Sequence, residues 1–202
     1  MKRIPILLIW FRLLAAVVIL LIAVSHIEQN AKAVSISILM VAGLVSDIFD
    51  GIIARRLGVS TEKIRRLDSS IDQIFWVCVA IATYLMSPDF YKEHVNSITV
   101  LIAAEAMCYI ISYARFKKEV ATHAITSKIW TLLFLFTLLQ IVLTGNSGRL
   151  FQWCFYIGIL TRVEIIAILL IIPKWVNDVP SVYHAVQIRR GKDIKRNKIF
   201  NG

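Results

Sequence analysis

Residues 4–27 read IPILLIWFRLLAAVVILLIAVSHI, an apolar run holding a single formal charge, Arg12. A helix needs about 20 mainly apolar residues to cross the hydrocarbon core of a bilayer, and this run supplies them. It is too long for the apolar segment of a signal peptide, and Arg12 interrupts it, so it reads as a retained span. Five more stretches follow the same rule, at 33–54, 67–86, 98–116, 124–143 and 150–172. Only helices satisfy every backbone polar group within such a segment, because an open sheet edge cannot sit in lipid. The expected fold is therefore all-α, an integral membrane bundle of six transmembrane helices. It forms one domain over residues 1–202, and 173–202 make a basic tail.

Composition agrees. The chain is 58% hydrophobic with mean hydropathy +0.72, more apolar than soluble domains usually are. Its net charge of +10 falls between the apolar runs, which suits membrane topology and anionic ligands and excludes nucleic acid as a partner. Lys2, Arg3, the 55–66 connector, the 115–128 connector and the segment beyond Lys174 collect on one side. The opposite connectors hold only Lys32, Lys92 and Arg149. The positive-inside rule then places both termini in the cytoplasm, and the alternation of connectors agrees with an even number of spans, which leaves the termini on one side. Cys78, Cys108 and Cys154 lie inside apolar runs without ligand-like spacing, so they read as packing residues. The basic tail, with Arg189, Arg190, Lys192, Lys195, Arg196 and Lys198, reads as a solvated segment that helps set topology; contact with anionic lipid headgroups is the functional alternative.

Ionisable groups inside spans are costly and mark function. Four carboxylates stand at the cytoplasmic ends of the second and third spans. Asp47 and Asp50 are three residues apart and Asp68 and Asp72 four apart, so each pair shares a helix face. The short connector predicts that the two helices are antiparallel neighbours whose acidic faces meet. Carboxylates gathered at low dielectric take up protons or bind cations. A hard oxygen site suits Mg²⁺, Mn²⁺ or Ca²⁺, and two such ions can stabilise both the attacking and the leaving oxygen in a displacement at phosphorus.

The pattern Asp47-x-x-Asp50-Gly51-x-x-Ala54-Arg55, followed after twelve residues by Asp68-x-x-x-Asp72, resembles the signature of the CDP-alcohol phosphatidyltransferase family. The resemblance implies six transmembrane helices, usually in a homodimer, with the active site facing the cytoplasm from the inner membrane. It implies that Asp47, Asp50, Asp68 and Asp72 bind two divalent cations. It assigns Asp72 a second task as catalytic base, and places Gly51, Ala54 and Arg55 around the CDP group of the donor. Ile64 stands where the family usually has glycine. The opening segment through Arg12 looks like the family's first helix, without its usual Asn and Thr. Thr126-Ser127-Lys128 loosely resembles a stretch of phosphatidylglycerophosphate synthases. The implied reaction moves a phosphatidyl group from a CDP-linked lipid, CDP-diacylglycerol in the common form, to a small polar alcohol and releases CMP.

The acceptor is the open part. Arg65, Arg66, Arg115, Lys117, Lys118, His123 and Lys128 form a basic set on the cytoplasmic side. Such a rim suits a phosphorylated alcohol, glycerol 3-phosphate or an inositol phosphate, with Arg115, Lys128 and Arg65 as candidate ligands. Charges that only obey the positive-inside rule would look the same. Glu105 and Arg162, both within spans, are expected to pair. A transporter is the reading from another class, since intramembrane acids also mark ion pathways; here they cluster at one end of the spans and do not line a path across the bilayer.

Overall fold

The computed structural model describes residues 4–59, 61–120, 122, 124–176 and 178–192, without the side chains of Arg55, Glu62, Lys63 and Arg65. Every regular element among them is a helix. In order these are α1 (Ile4–Val24), α2 (Gln29–Arg56), α3 (Glu62–Met86), α4 (Pro88–Glu93), α5 (Val95–Phe116), α6 (Ile125–Thr144), α7 (Gly148–Ile171) and α8 (Val182–Arg189). Six of them, α1, α2, α3, α5, α6 and α7, are long and apolar enough to cross a membrane, as the six apolar runs require.

Local chemistry sets the helix ends that matter for the site. α2 stops where Gly58 takes φ +64, a left-handed conformation that costs glycine least. The Val59 N–H closes the turn on the Ala54 carbonyl at 3.0 Å. α3 then starts at Thr61, whose hydroxyl accepts from the Ile64 N–H at 3.3 Å and satisfies one of the helix's orphan donors. The connector is therefore short and tightly turned.

The chain forms two compact units. The first takes the residues through Glu93 together with Leu135–Ser147. Within it, α1 packs extensively along both α2 and α3, and α2 and α3 meet each other more narrowly, at Gly43 and Phe75 and through their acids. The expected meeting of the acidic faces of α2 and α3 is present; what the connector does not predict is that α1 lies along both helices. α1 carries Ala15 and Ala16 in its buried face, and such small residues let neighbouring helices approach closely. Ile9, Ile19, Ile36, Met40, Phe75 and Val79 are fully buried in this unit. The Ser46 hydroxyl donates to the Leu8 carbonyl at 3.0 Å and links α2 to α1. After α3, Tyr91 of α4 pairs with Thr83, and burial pushes its phenol up from the ordinary tyrosine range.

Gly43 of α2 lies directly under the ring of Phe75, and a Cβ there would overlap it. Phe75 is fully buried, so it has no room to move aside. Gly43→Val is therefore expected to destabilise the protein by about 1–3 kcal/mol, the usual cost of overpacking. The check is a lower thermal midpoint for the variant purified in detergent.

The second unit comprises His94–Phe134 and the chain from Gly148 onward. α5 packs on α7, with Cys108, Ile165 and Leu169 buried between them. The expected ion pair is present: Arg162 Nε donates to Glu105 Oε2 at 2.8 Å. The same guanidinium lies 3.6 Å from the centroid of the Trp130 ring and donates to the Gly158 carbonyl at 3.3 Å. Glu164 accepts from the Thr126 hydroxyl at 2.5 Å. These charges are satisfied inside the unit, which fits a structural role. No disulfide forms among the described residues, and Cys108 and Cys154 are buried.

The segment after α7 departs from the picture of a solvated tail. Val179 and Ala185 are fully buried in a cluster with Ala124, Ile168 and Ile172. Trp175 Nε1 donates to the Glu119 carbonyl at 3.0 Å, and the Ile125 N–H donates to the Pro180 carbonyl at 3.0 Å. Apolar residues interspersed among the basic ones account for the difference. Lys195, Arg196 and Lys198 lie outside the described residues.

Candidate active site

α2 presents Asp47 and Asp50 on one face, and α3 presents Asp68 and Asp72. They converge, and Arg12 of α1 stands at their centre. Arg12 Nη1 lies 2.6 Å from Asp47 Oδ1 and 3.4 Å from Asp72 Oδ1. Its Nη2 lies 2.9 Å from Asp68 Oδ1 and also bonds Asp50. The planar guanidinium can serve several carboxylates at once because its donors fan out in a fixed fork. An isolated arginine within a span is costly, and four acids supply what it needs.

Burial gives the site a floor and a mouth. The Arg12 and Asp50 side chains are 0% and 3% exposed, so they form the floor. The side chains of Asp47, Asp68 and Asp72 are 33%, 31% and 35% exposed. An ion or a hydrated phosphate can therefore reach three of the four carboxylates from outside.

The donor set fits a divalent cation. Asp47, Asp50 and Asp68 each offer a carboxylate oxygen, and these oxygens lie within 4.8 Å of one another. All are hard oxygen ligands of the kind Mg²⁺ and Mn²⁺ prefer. One guanidinium faces four carboxylates, so an excess of negative charge remains for added cations to neutralise.

The other expected residues fall as follows. Gly51 and Ala54 lie on α2 beyond Asp50, Gly51 half-buried and Ala54 buried. The side chains of Arg55 and Arg65, and all of His123, lie outside the described residues. Arg66 is exposed. Ile64 is half-buried one turn before Asp68. Arg115 and Lys128 belong to the second unit. Arg115 donates to the Leu169 carbonyl in the last turn of α7, a favourable place for a cation at a helix C-terminus. Lys117 and Lys118 lie over the rings of Tyr113 and Trp175, at 5.9 Å and 4.4 Å. Lys128 is exposed in the first turn of α6.

Six helices long enough to cross a membrane and a cluster of acids at the ends of two of them define a polytopic membrane protein with an intramembrane acidic site. The sequence profile of the CDP-alcohol phosphatidyltransferase family matches residues 2–178, most of the chain, and the protein belongs to that family. It is a transferase of phospholipid biosynthesis, and it moves a phosphatidyl group from a CDP-alcohol. The family uses divalent metals. No curated protein and no solved structure matches the chain significantly.

Sequence reasoning placed the four acids but gave Arg12 no part in the site. The signal was present. Arg12 is the one charge in an otherwise apolar run, and a lone cation in a span needs acidic partners.

Proposed function

We propose that the protein transfers the phosphatidyl group of CDP-diacylglycerol to a small phosphorylated alcohol at the cytoplasmic face of the inner membrane. The observation that carries this reading is the convergence of Asp47, Asp50, Asp68 and Asp72 in one partly open site. Asp47, Asp50, Asp68 and Asp72 would hold divalent cations, Mg²⁺ or Mn²⁺, the first three offering the most closely gathered oxygens. When bound, such cations supply charge stabilisation for the donor diphosphate and for the attacking and leaving oxygens.

Asp72 accepts the proton of the acceptor hydroxyl. That oxygen attacks the β-phosphorus, the new P–O bond forms, and the bond to the CMP oxygen breaks with its electron pair leaving on CMP. Asp72 suits this role because Arg12 holds it most loosely, at 3.4 Å against 2.6 Å for Asp47, and because its side chain reaches the mouth. Gly51, Ala54 and Arg55 lie on the helix end next to Asp50 and would receive the cytidine diphosphate. The small side chains of Gly51 and Ala54 allow close approach, and an arginine there suits a diphosphate.

For the acceptor, Arg65, Arg115 and Lys128 are the proposed phosphate ligands. Arg115 uses N–H donors on Leu169 and has others in its fork. The charge distribution along the chain supports a cytoplasmic location for both termini and, with them, for the mouth of the site. A homodimer completes the reading: the span Val95–Phe116 is only 11% buried within one chain, so its apolar face suits lipid or a second copy.

The acceptor assignment is tested by supplying CDP-diacylglycerol with glycerol 3-phosphate, an inositol phosphate or serine and identifying the lipid formed. A phosphorylated product from the phosphate-bearing acceptors is expected. Product from serine alone would overturn the assignment.

Ile64 shares a face of α3 with Asp68, four residues on. A branched side chain there narrows the approach of the nucleotide. Ile64→Gly is expected to lower KM for the donor severalfold with little change in kcat, while costing about 1 kcal/mol of helix stability. Steady-state kinetics against CDP-diacylglycerol check it, and an unchanged KM would show that the position is neutral.

A further inference from the structure

Arg12 has features that a fixed structural arginine does not need. It is fully buried and is shared among four carboxylates on two helices, α2 and α3. Its Nε is buried and makes no hydrogen bond, so the guanidinium is well charged-paired but incompletely satisfied. A buried donor without a partner costs about 1–3 kcal/mol, which lowers the cost of moving the group. The guanidinium also occupies the space among the same oxygens that would ligate a cation, and two positive charges within a few ångströms repel.

We infer that Arg12 is a displaceable internal counter-ion, neutralising the four aspartates when divalent cations are absent and giving way as they bind. This rests on the metal-binding reading proposed above. The physical problem it answers is that four converging carboxylates at low dielectric would push α2 and α3 apart. Arg12 holds their charge together and keeps the ligands assembled. Because α1 packs on both acidic helices, its guanidinium arrives from a third direction and can withdraw without dragging either ligand pair. Three of the four carboxylates are open at the mouth, so a cation enters from the side away from the buried arginine. The metal affinity of the site is then set by competition with Arg12 as well as by the aspartates.

The test compares Mn²⁺ binding and thermal melting for chelator-stripped full-length protein in detergent. Wild type, Arg12→Gln, Arg12→Lys and Asp68→Asn are measured. Arg12→Gln is expected to melt lower than wild type without metal and to bind Mn²⁺ about tenfold tighter, since a competing charge is gone. Arg12→Lys keeps the charge but loses the fork, and should fall between the two. A purely structural arginine would give lower stability with equal or weaker Mn²⁺ binding, and that result overturns the inference. If Arg12→Gln does not fold, the wild type decides. The Arg12 Nε–H resonance, assigned with Arg12→Lys, should shift when Mg²⁺ is added, and an unmoved resonance overturns the inference. Wild type that binds Mn²⁺ no better than Asp68→Asn removes the metal reading itself, and the exchange with it. Tight wild-type binding with unchanged affinity in Arg12→Gln removes the exchange alone.

Discussion

Asp68→Asn is expected to lower metal-dependent CMP release by about three orders of magnitude or more. The substitution keeps the side chain's shape, and Asp68 sits at the mouth of the site with its side chain 31% exposed, so the amide fits without repacking. What changes is chemistry. Asp68 is one of the three residues whose oxygens gather within 4.8 Å, and an amide offers one neutral oxygen where a carboxylate offers two charged ones. A divalent cation held by a few carboxylates, with water and substrate phosphate completing its shell, loses a large part of its binding when one is neutralised. Mn²⁺ affinity and CMP release should therefore fall together. Full activity in this variant would show that the metal lies elsewhere.

Asp72→Asn is expected to lower kcat by about 10²–10⁴, the usual contribution of a positioned general base, while Mn²⁺ still binds. The two effects separate because the closest oxygen cluster comprises Asp47, Asp50 and Asp68, with Asp72 beside it. An asparagine cannot take the acceptor's proton but occupies the same volume at the half-exposed rim. Single-turnover CMP release measured beside Mn²⁺ binding checks the separation. A variant that loses both equally would make Asp72 a metal ligand first. A variant that keeps kcat would remove the base assignment.

The fold was legible because its signal is long. Each span is some twenty apolar residues with few charges, and lipid leaves helix as the only solution. The acid cluster was legible because spacings of three and four put Asp47 with Asp50, and Asp68 with Asp72, on single helix faces. The packing partner was not. A short connector suggests that α2 and α3 touch, and they do at Gly43 and Phe75, but most of their packing is on α1, whose alanines and Arg12 charge answer both faces at once. Residues 173–192 read as solvated from their charges, but Val179 and Ala185 are buried against α7 and Ala124; the apolar residues of that cluster recur every three positions, and the polar and basic residues between them mask the signal. The Arg162–Glu105 pair was legible from burial cost alone, since both charges lie in spans and each needs the other.

The most direct measurement is CMP release by the purified protein given CDP-diacylglycerol and an acceptor, first after chelation and then with Mg²⁺ or Mn²⁺ restored. The account predicts no CMP from the stripped protein, and release that returns with the cation and requires the alcohol. Undiminished release after chelation, or no CMP with any acceptor when cation is present, would contradict it.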